Sequence, residues 1–250
     1  MGFIIRDLGL LINAILIATP PLLLAALGSC FSERSGVINI GIEGMMTIGA
    51  FTGACVAYFW GNGWLGFIAG GLAGACLGTI HAIACIQFGA DQTISGTAIN
   101  FVGPGLAVFL CKAFFDNSSD SPALDTAAKL PKMFEGVFKA GSFGYNVFST
   151  YYVAYLSFIL VFIIWFVFYK TKFGMHLRAV GEHPKACATL GVNVYLTRYI
   201  CVILSGLLAG LGGAFVTLAT VSQFRPSVIV GQGFIAIAAV IFGKFKPQGA

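Results

Sequence analysis

Seven stretches of this chain, at residues 8–31, 45–60, 64–88, 92–111, 148–169, 199–224 and 227–243, contain no Asp, Glu, Lys or Arg. A helix needs about 20 apolar residues to cross the hydrocarbon core of a bilayer. Backbone N–H and C=O groups find no water there, so they must bond within their own segment, which selects the helix. The reading is an all-α fold, a polytopic transmembrane helical bundle with about six to seven membrane segments in one domain over residues 1–250. The stretch at 45–60 is short but lengthens if residues 37–44 join it, and Gly61, Asn62 and Gly63 supply the turn that follows.

Composition agrees. Hydrophobic residues are 58% and charged ones 9%, against about 45–50% and about 25% in a soluble domain, and mean hydropathy is +0.92. The net charge of +5 comes from basic residues in short connections, the pattern of cytoplasmic loops rather than a nucleic-acid surface, so no nucleic-acid partner is expected. Residues 170–198 hold Lys170, Lys172, Arg178, Lys185 and Arg198 against Glu182 alone. The positive-inside rule makes this segment a cytoplasmic loop. Parity then puts the Asp91 turn, residues 32–35, and Lys244 with Lys246 on the same side. The N-terminus, residues 61–63, the loop at 116–147 and Arg225 fall outside. That external loop mixes Asp116, Asp120 and Asp125 with Lys129, Lys132 and Lys139.

The run ending in Gly28, Ser29 and Cys30 weakly resembles a lipoprotein signal, but its length and Pro20-Pro21 favour a first spanning helix. Seven cysteines stand singly, without zinc spacing, and read as packing residues. Glycines repeat every fourth residue at Gly70/Gly74/Gly78, Gly49/Gly53 and Gly206/Gly210, a spacing for close helix contact within one subunit or between two. Gly61, Gly63 and Gly66 match a dinucleotide-loop pattern, yet no strand precedes them. Phosphate-loop, zinc-protease and serine-hydrolase motifs are missing, and paired catalytic acids at membrane depth are missing too. The expectation is a protein that is not an enzyme and needs no cofactor or metal.

Polar groups at membrane depth are costly and are kept for a pathway or ligand. Asn39 and Glu43, four residues apart among Gly36, Gly41 and Gly44, suggest one helical face in a discontinuous helix; an interfacial capping turn is the other reading. Gln92, Ser95 and Asn100 are candidates to line a polar passage. Gln223 and Arg225 precede a flexible Gly231-Gln232-Gly233 element, which also fits an ordinary external turn. Residues 181–194 read as a short cytoplasmic helix bounded by Gly181 and Gly191, with Pro184 near its start and Glu182 at the positive end of its dipole. Such a helix lies on the bilayer or docks into a groove on a soluble partner. His81, His176 and His183 each read as isolated histidines rather than ligands.

Four segments carry a family resemblance: FSERSGVINIGIEGMMTIGAF (31–51), GADQTISGTAIN (89–100), FGMHLRAVGEHPKACATLGVNVYLTRYICVILSGLLAGLGGAF (173–215) and GQGFIAIAAVIFGKFKPQGA (231–250). The sequence resembles permease subunits of bacterial ABC importers, in the branch that includes ribose and branched-chain amino-acid permeases. Within it the likeness is greatest to nucleoside importers served by a basic-membrane-protein-type lipoprotein. The resemblance implies an inner-membrane permease that moves nucleosides by alternating access, lodged in membrane lipid. Its implied partners are a second permease subunit, an ABC ATPase subunit, a substrate-binding lipoprotein and a small-molecule solute. Gly181, Glu182, His183, Pro184, Lys185, Ala186, Leu190 and Gly191 would form the coupling helix against the ATPase. Asn39, Glu43, Gln92, Ser95 and Asn100 would border the path, and polarity adds Gln223. Related permeases continue past the segment matching 244–250, so the resemblance also implies a C-terminally incomplete domain. The rival readings are the same machine carrying a sugar or riboflavin, and an ion-coupled secondary carrier or channel, which would need no coupling helix.

Overall fold

The computed structural model describes residues 2–134 and 143–249; residues 135–142 of the predicted external loop, Lys139 among them, lie outside the described residues. The helices are α1 (Gly2–Arg34), α2 (Ile42–Trp60), α3 (Gly63–Ala82), α4 (Gln92–Phe114), α5 (Phe143–Phe148), α6 (Tyr152–Lys170), α7 (Lys172–Glu182), α8 (Pro184–Thr189), α9 (Val194–Phe215) and α10 (Gln232–Phe242). One π-helical stretch, Ile83–Gln87, prolongs α3 and another, Val216–Val221, prolongs α9. Among the described residues, six segments are long and apolar enough to cross a membrane: Leu8–Arg34, Ile42–Trp60, Gly63–Gln87, Gln92–Phe114, Tyr152–Lys170 and Val194–Val221.

The seventh apolar stretch behaves differently. α10 has 11 residues, about 16 Å at 1.5 Å per residue, half the thickness of a hydrocarbon core. It starts only after Gly231, whose φ of +75° sets a left-handed turn that a helix cannot propagate through. The second stretch also starts later than residue 37, because α2 begins at Ile42 and residues 35–41 are not α-helical.

α2, α3 and α9 pack most intimately, with α1 against α9 and α4 against α2. The glycine rows make this possible, and they interlock within the chain. A methyl group on Gly74 would strike the Gly206 carbonyl and come 2.8 Å from Gly210 Cα, and one on Gly53 would come 2.8 Å from Ala214 Cβ. Pro20 and Pro21 sit inside α1, where Gly212 of α9 packs against the Pro21 carbonyl. Cys30, Cys111, Cys187 and Cys201 are buried, Cys55 and Cys85 half-buried and Cys76 exposed, all as free thiols.

Connections gather at two ends. At one, Arg34 Nε donates to the Phe245 carbonyl (2.9 Å) and Arg198 Nε to the Ser35 carbonyl (3.2 Å), while Phe31 meets Phe168 edge-on at 4.8 Å. This end holds Arg34, Lys170, Arg178, Arg198 and Lys244. At the opposite end, Leu124 N–H donates to the Ser222 carbonyl (2.8 Å) and Ser121 N–H to the Phe224 carbonyl (3.0 Å). Asn62 caps α3 there by accepting from Trp64 N–H at 2.9 Å. Removing such a cap costs about 1 kcal/mol, so Asn62→Ala is expected to lower the unfolding midpoint of the purified chain slightly, with a negligible shift counting against the cap.

Candidate functional site

The break between α1 and α2 organises the site. Gly36 adopts φ +81°, α1 ends, and the chain runs through Asn39 before α2 starts. Asn39 therefore does not share a helical face with Glu43. Its Oδ1 accepts from Gly41 N–H (3.1 Å), a side-chain-stabilised turn, and its Nδ2 donates to Ser205 Oγ of α9 (3.0 Å). A helix through 37–44 would bury the Asn39 amide among apolar groups, whereas the turn satisfies both of its ends.

α4 clamps the same break from the other side. Asn100 Nδ2 donates to the Ile40 carbonyl (2.9 Å) and its Oδ1 accepts from Gly44 N–H (2.9 Å). Gln92 Oε1 accepts from Ile38 N–H at 2.8 Å. His81, wholly buried on α3, places Nε2 3.1 Å from the Ile38 carbonyl and Nδ1 2.9 Å from Ser95 Oγ. A carbonyl only accepts, so Nε2 carries the proton and Nδ1 accepts from the Ser95 hydroxyl. His81→Leu would orphan both groups at about 1–3 kcal/mol each. The expected outcome is a lower unfolding midpoint than in His81→Gln, which keeps a donor and an acceptor; equal midpoints would mean the ring serves only as filler.

Glu43, 8% exposed, accepts from Gly231 N–H (2.6 Å) and Gly233 N–H (2.7 Å). It is a cap, but of α10 rather than of its own helix. The carboxylate fills the positive end of the α10 dipole and satisfies two of its unpaired donors. Gly233 permits this, since a methyl group there would come 2.7 Å from Glu43 N.

Ser205 lies eleven residues into α9 and Asn100 eight residues into α4, about 16 Å and about 12 Å along those helices. Asn39, Glu43, Gln92, Ser95 and Asn100 thus come together around residues 38–44, with Asn39 and Glu43 buried in the bundle and Gln92, the first residue of α4, at its exposed edge. Gln223 does not join them. It sits at the opposite end, where one amide orientation lets its oxygen accept from Arg225, itself 4.0 Å from Asp120. His81 and Ser205 belong to the cluster although neither stood out in the sequence. The available signal was a histidine inside an otherwise uncharged run; Ser205 carried none.

The predicted cytoplasmic helix is two helices. α7 continues through Gly181 and Glu182, the chain breaks at His183 (φ −137°, ψ 74°) and α8 runs Pro184–Thr189. The break arises because a proline disfavours helical backbone in the residue before it, while Pro184 itself suits the first helical position. Gly191, φ +81°, turns the chain out. Glu182, His183, Lys185, Ala186 and Gly191 are exposed and Pro184 is half-buried. Leu190 is 82% exposed, so an apolar side chain projects from this end, largely uncovered by the described residues. Gly181, expected among these residues, faces the other way, against Gly36 and the Arg34 carbonyl.

The cavities among the described residues lie apart from the polar cluster. One of about 710 Å³ at the end with Asn62 is lined by Trp64, Thr126, Lys129, Lys132 and Tyr151, with Lys132 Nζ 5.5 Å from the Tyr151 ring centroid. A smaller one of about 280 Å³ lies beside α8, between Cys85, Ile86, Lys185, Ala188 and Arg198.

Six apolar spans among the described residues, with two chain breaks meeting at a buried polar cluster, are the architecture of a multi-pass membrane protein. The chain belongs to the family described as branched-chain amino acid transport system / permease component, which matches residues 11–250. It is 44% identical to the guanosine ABC transporter permease protein NupQ of Bacillus subtilis, over 99% of this chain and 79% of that protein. It is 37% identical to the nucleoside ABC transporter permease protein NupC of Lactococcus lactis, again over 99% and 79%. The putative glucose ABC transporter permease protein TsgC13 of Haloferax volcanii is 37% identical over 95% of this chain and 71% of its own length. No solved structure matches.

Proposed function

We propose that this chain is the inner-membrane permease subunit of an ABC importer for nucleosides. The observation that carries the reading is its 44% identity to a guanosine permease across nearly the whole chain, supported by a second nucleoside permease at 37%. The solute passes by alternating access, driven by an ATPase subunit, alongside a second permease subunit and with delivery by a substrate-binding lipoprotein. The end rich in Arg34, Lys170, Arg178, Arg198 and Lys244 faces the cytoplasm, as positive-inside bias requires. Pro184, Lys185, Ala186 and Leu190 form the docking face for the ATPase. The polar cluster around residues 38–44 borders the path, with Glu43 and Asn100 holding its walls in place. A sugar is the second reading, favoured by the likeness to TsgC13.

ATP-dependent uptake of labelled guanosine, uridine, adenosine, ribose, glucose and riboflavin tests this, in cells with the cognate ATPase, permease and binding protein, with or without this chain. Nucleoside uptake that requires the chain and stops on ATP depletion is the expected result. Sugar uptake alone would transfer the assignment to the second reading. Leu190→Glu, by placing a charge on an exposed apolar contact, is expected to abolish co-purification of the ATPase with normal membrane insertion; undiminished co-purification would remove α8 from the docking face.

A further inference from the structure

We propose that the backbone contact of Gly181 with Arg34 and Gly36 is the joint that carries movement of the cytoplasmic α7–α8 segment into the polar cluster. It rests on the reading of α8 as an ATPase-docking helix. Gly181 lies in the last turn of α7, three residues before Pro184 of α8. A methyl group on it would overlap the Arg34 carbonyl and come 3.4 Å from Gly36 N, and one on Gly36 would come 3.3 Å from Gly181 Cα and from Arg198 Nη2. Arg198 Nε, from the first turns of α9, also binds the Ser35 carbonyl at 3.2 Å. The α7 terminus is therefore seated on the point where α1 ends.

From there the chain is tied at nearly every residue. Ser32 accepts Val37 N–H at its carbonyl (3.2 Å), Ile38 is held by Gln92 and His81, Asn39 by Ser205 and Ile40 by Asn100. Glu43 then holds the start of α10. A tethered segment cannot absorb displacement by bending without cost, because each local adjustment breaks a hydrogen bond, the buried Asn39–Ser205 bond among them. Residues 36–43 thus act as a short strut, with Gly181 at one end and the N-terminus of α10 at the other. Gly181 is a positioning residue: it touches neither ATPase nor solute, and its lack of a side chain sets how closely α7 seats.

The test uses the complete transporter with Ile38→Cys as reporter, since Ile38 is 45% exposed and sits mid-strut. Maleimide labelling is measured with and without ATP plus vanadate, above the labelling of the chain with its native cysteines only. The reporter chain is expected to change its labelling rate about tenfold between the two states, within the usual range of coupling between sites. Gly181→Ala should keep the ATPase bound yet abolish this response and lower uptake to the same degree. Arg198→Gln, which leaves the glycine contact unstrained, should reduce the response less. A full response in Gly181→Ala overturns the joint, as does loss of ATPase binding in that variant, which would put Gly181 on the docking face. If Gly181→Ala does not accumulate, a full response in Arg198→Gln overturns it instead. A reporter response in a transporter that takes up no nucleoside supports the joint while refuting only the assigned solute.

Discussion

Gly74→Leu is expected to remove the folded chain from the membrane fraction, whereas Gly105→Leu is expected to leave it there. Both glycines lie in membrane helices, so composition predicts equal tolerance. The structure separates them. A side chain at Gly74 meets the Gly206 carbonyl and the Gly210 backbone of α9, while nothing lies within 4 Å of one at Gly105. Backbone atoms cannot move to a new rotamer, so leucine at 74 must push α3 away from α9 along their whole contact. Overpacking costs about 1–3 kcal/mol where side chains can yield, occasionally more, and the upper end applies here. Gly105→Leu should stay within about 0.5 kcal/mol, as open sites do. The amount of chain in the membrane fraction, and the thermal unfolding of whatever detergent extracts from it, read by monodispersity, compare the two. Similar midpoints would mean that the α3–α9 contact is looser than described.

Glu43→Ala is the second large effect, and it should leave folding mostly intact while abolishing transport. The substitution strips the partners from Gly231 and Gly233 N–H and removes the negative charge at the α10 N-terminus. Two unpaired donors cost about 1–3 kcal/mol each, so the latched state of α10 loses more than tenfold in population at 1.4 kcal/mol per decade. The glycine-packed core of α2, α3 and α9 does not include this latch, and chain level in the membrane should persist. Nucleoside uptake should fall at least tenfold, and thiol labelling at Val230→Cys, beside Gly231 and 70% exposed, should accelerate. Glu43→Gln keeps one carbonyl acceptor but turns an NH2 group toward a backbone donor, so it should fall between native and alanine. Full uptake in Glu43→Ala would reduce the carboxylate to a local cap without a transport role.

The membrane spans were the most legible part of the sequence, because each is encoded by its own composition. A run such as 148–169 carries enough apolar residues to choose helix wherever it lies. Gly70, Gly74 and Gly78 also announced close packing, although their partners, Gly206 and Gly210, became known only from the structure. The polar residues were partly legible. Asn39, Glu43 and Asn100 stood out as groups too costly to leave in lipid, but apart from the Gly41 N–H beside Asn39 the side-chain partners that fix them are 56 to 190 residues away. His81 passed for an isolated histidine, because Ser95 and Ile38 approach it from other elements. Gln223 looked equivalent to the others by polarity and lies at the far end. The reading of 181–194 as one helix missed the interruption at His183, though Pro184 encodes it locally.

Local composition, then, established the all-helical membrane class, a range of six to seven spans and the basic connections, since hydropathy, helix length and charge bias act residue by residue over short windows. The shortness of α10, the turn at Asn39, the capping of one helix by a carboxylate on another and the inward seat of Gly181 required the folded chain. Each depends on hydrogen bonds or backbone contacts between segments distant in sequence, and a buried donor donates to whichever acceptor the packing brings within reach.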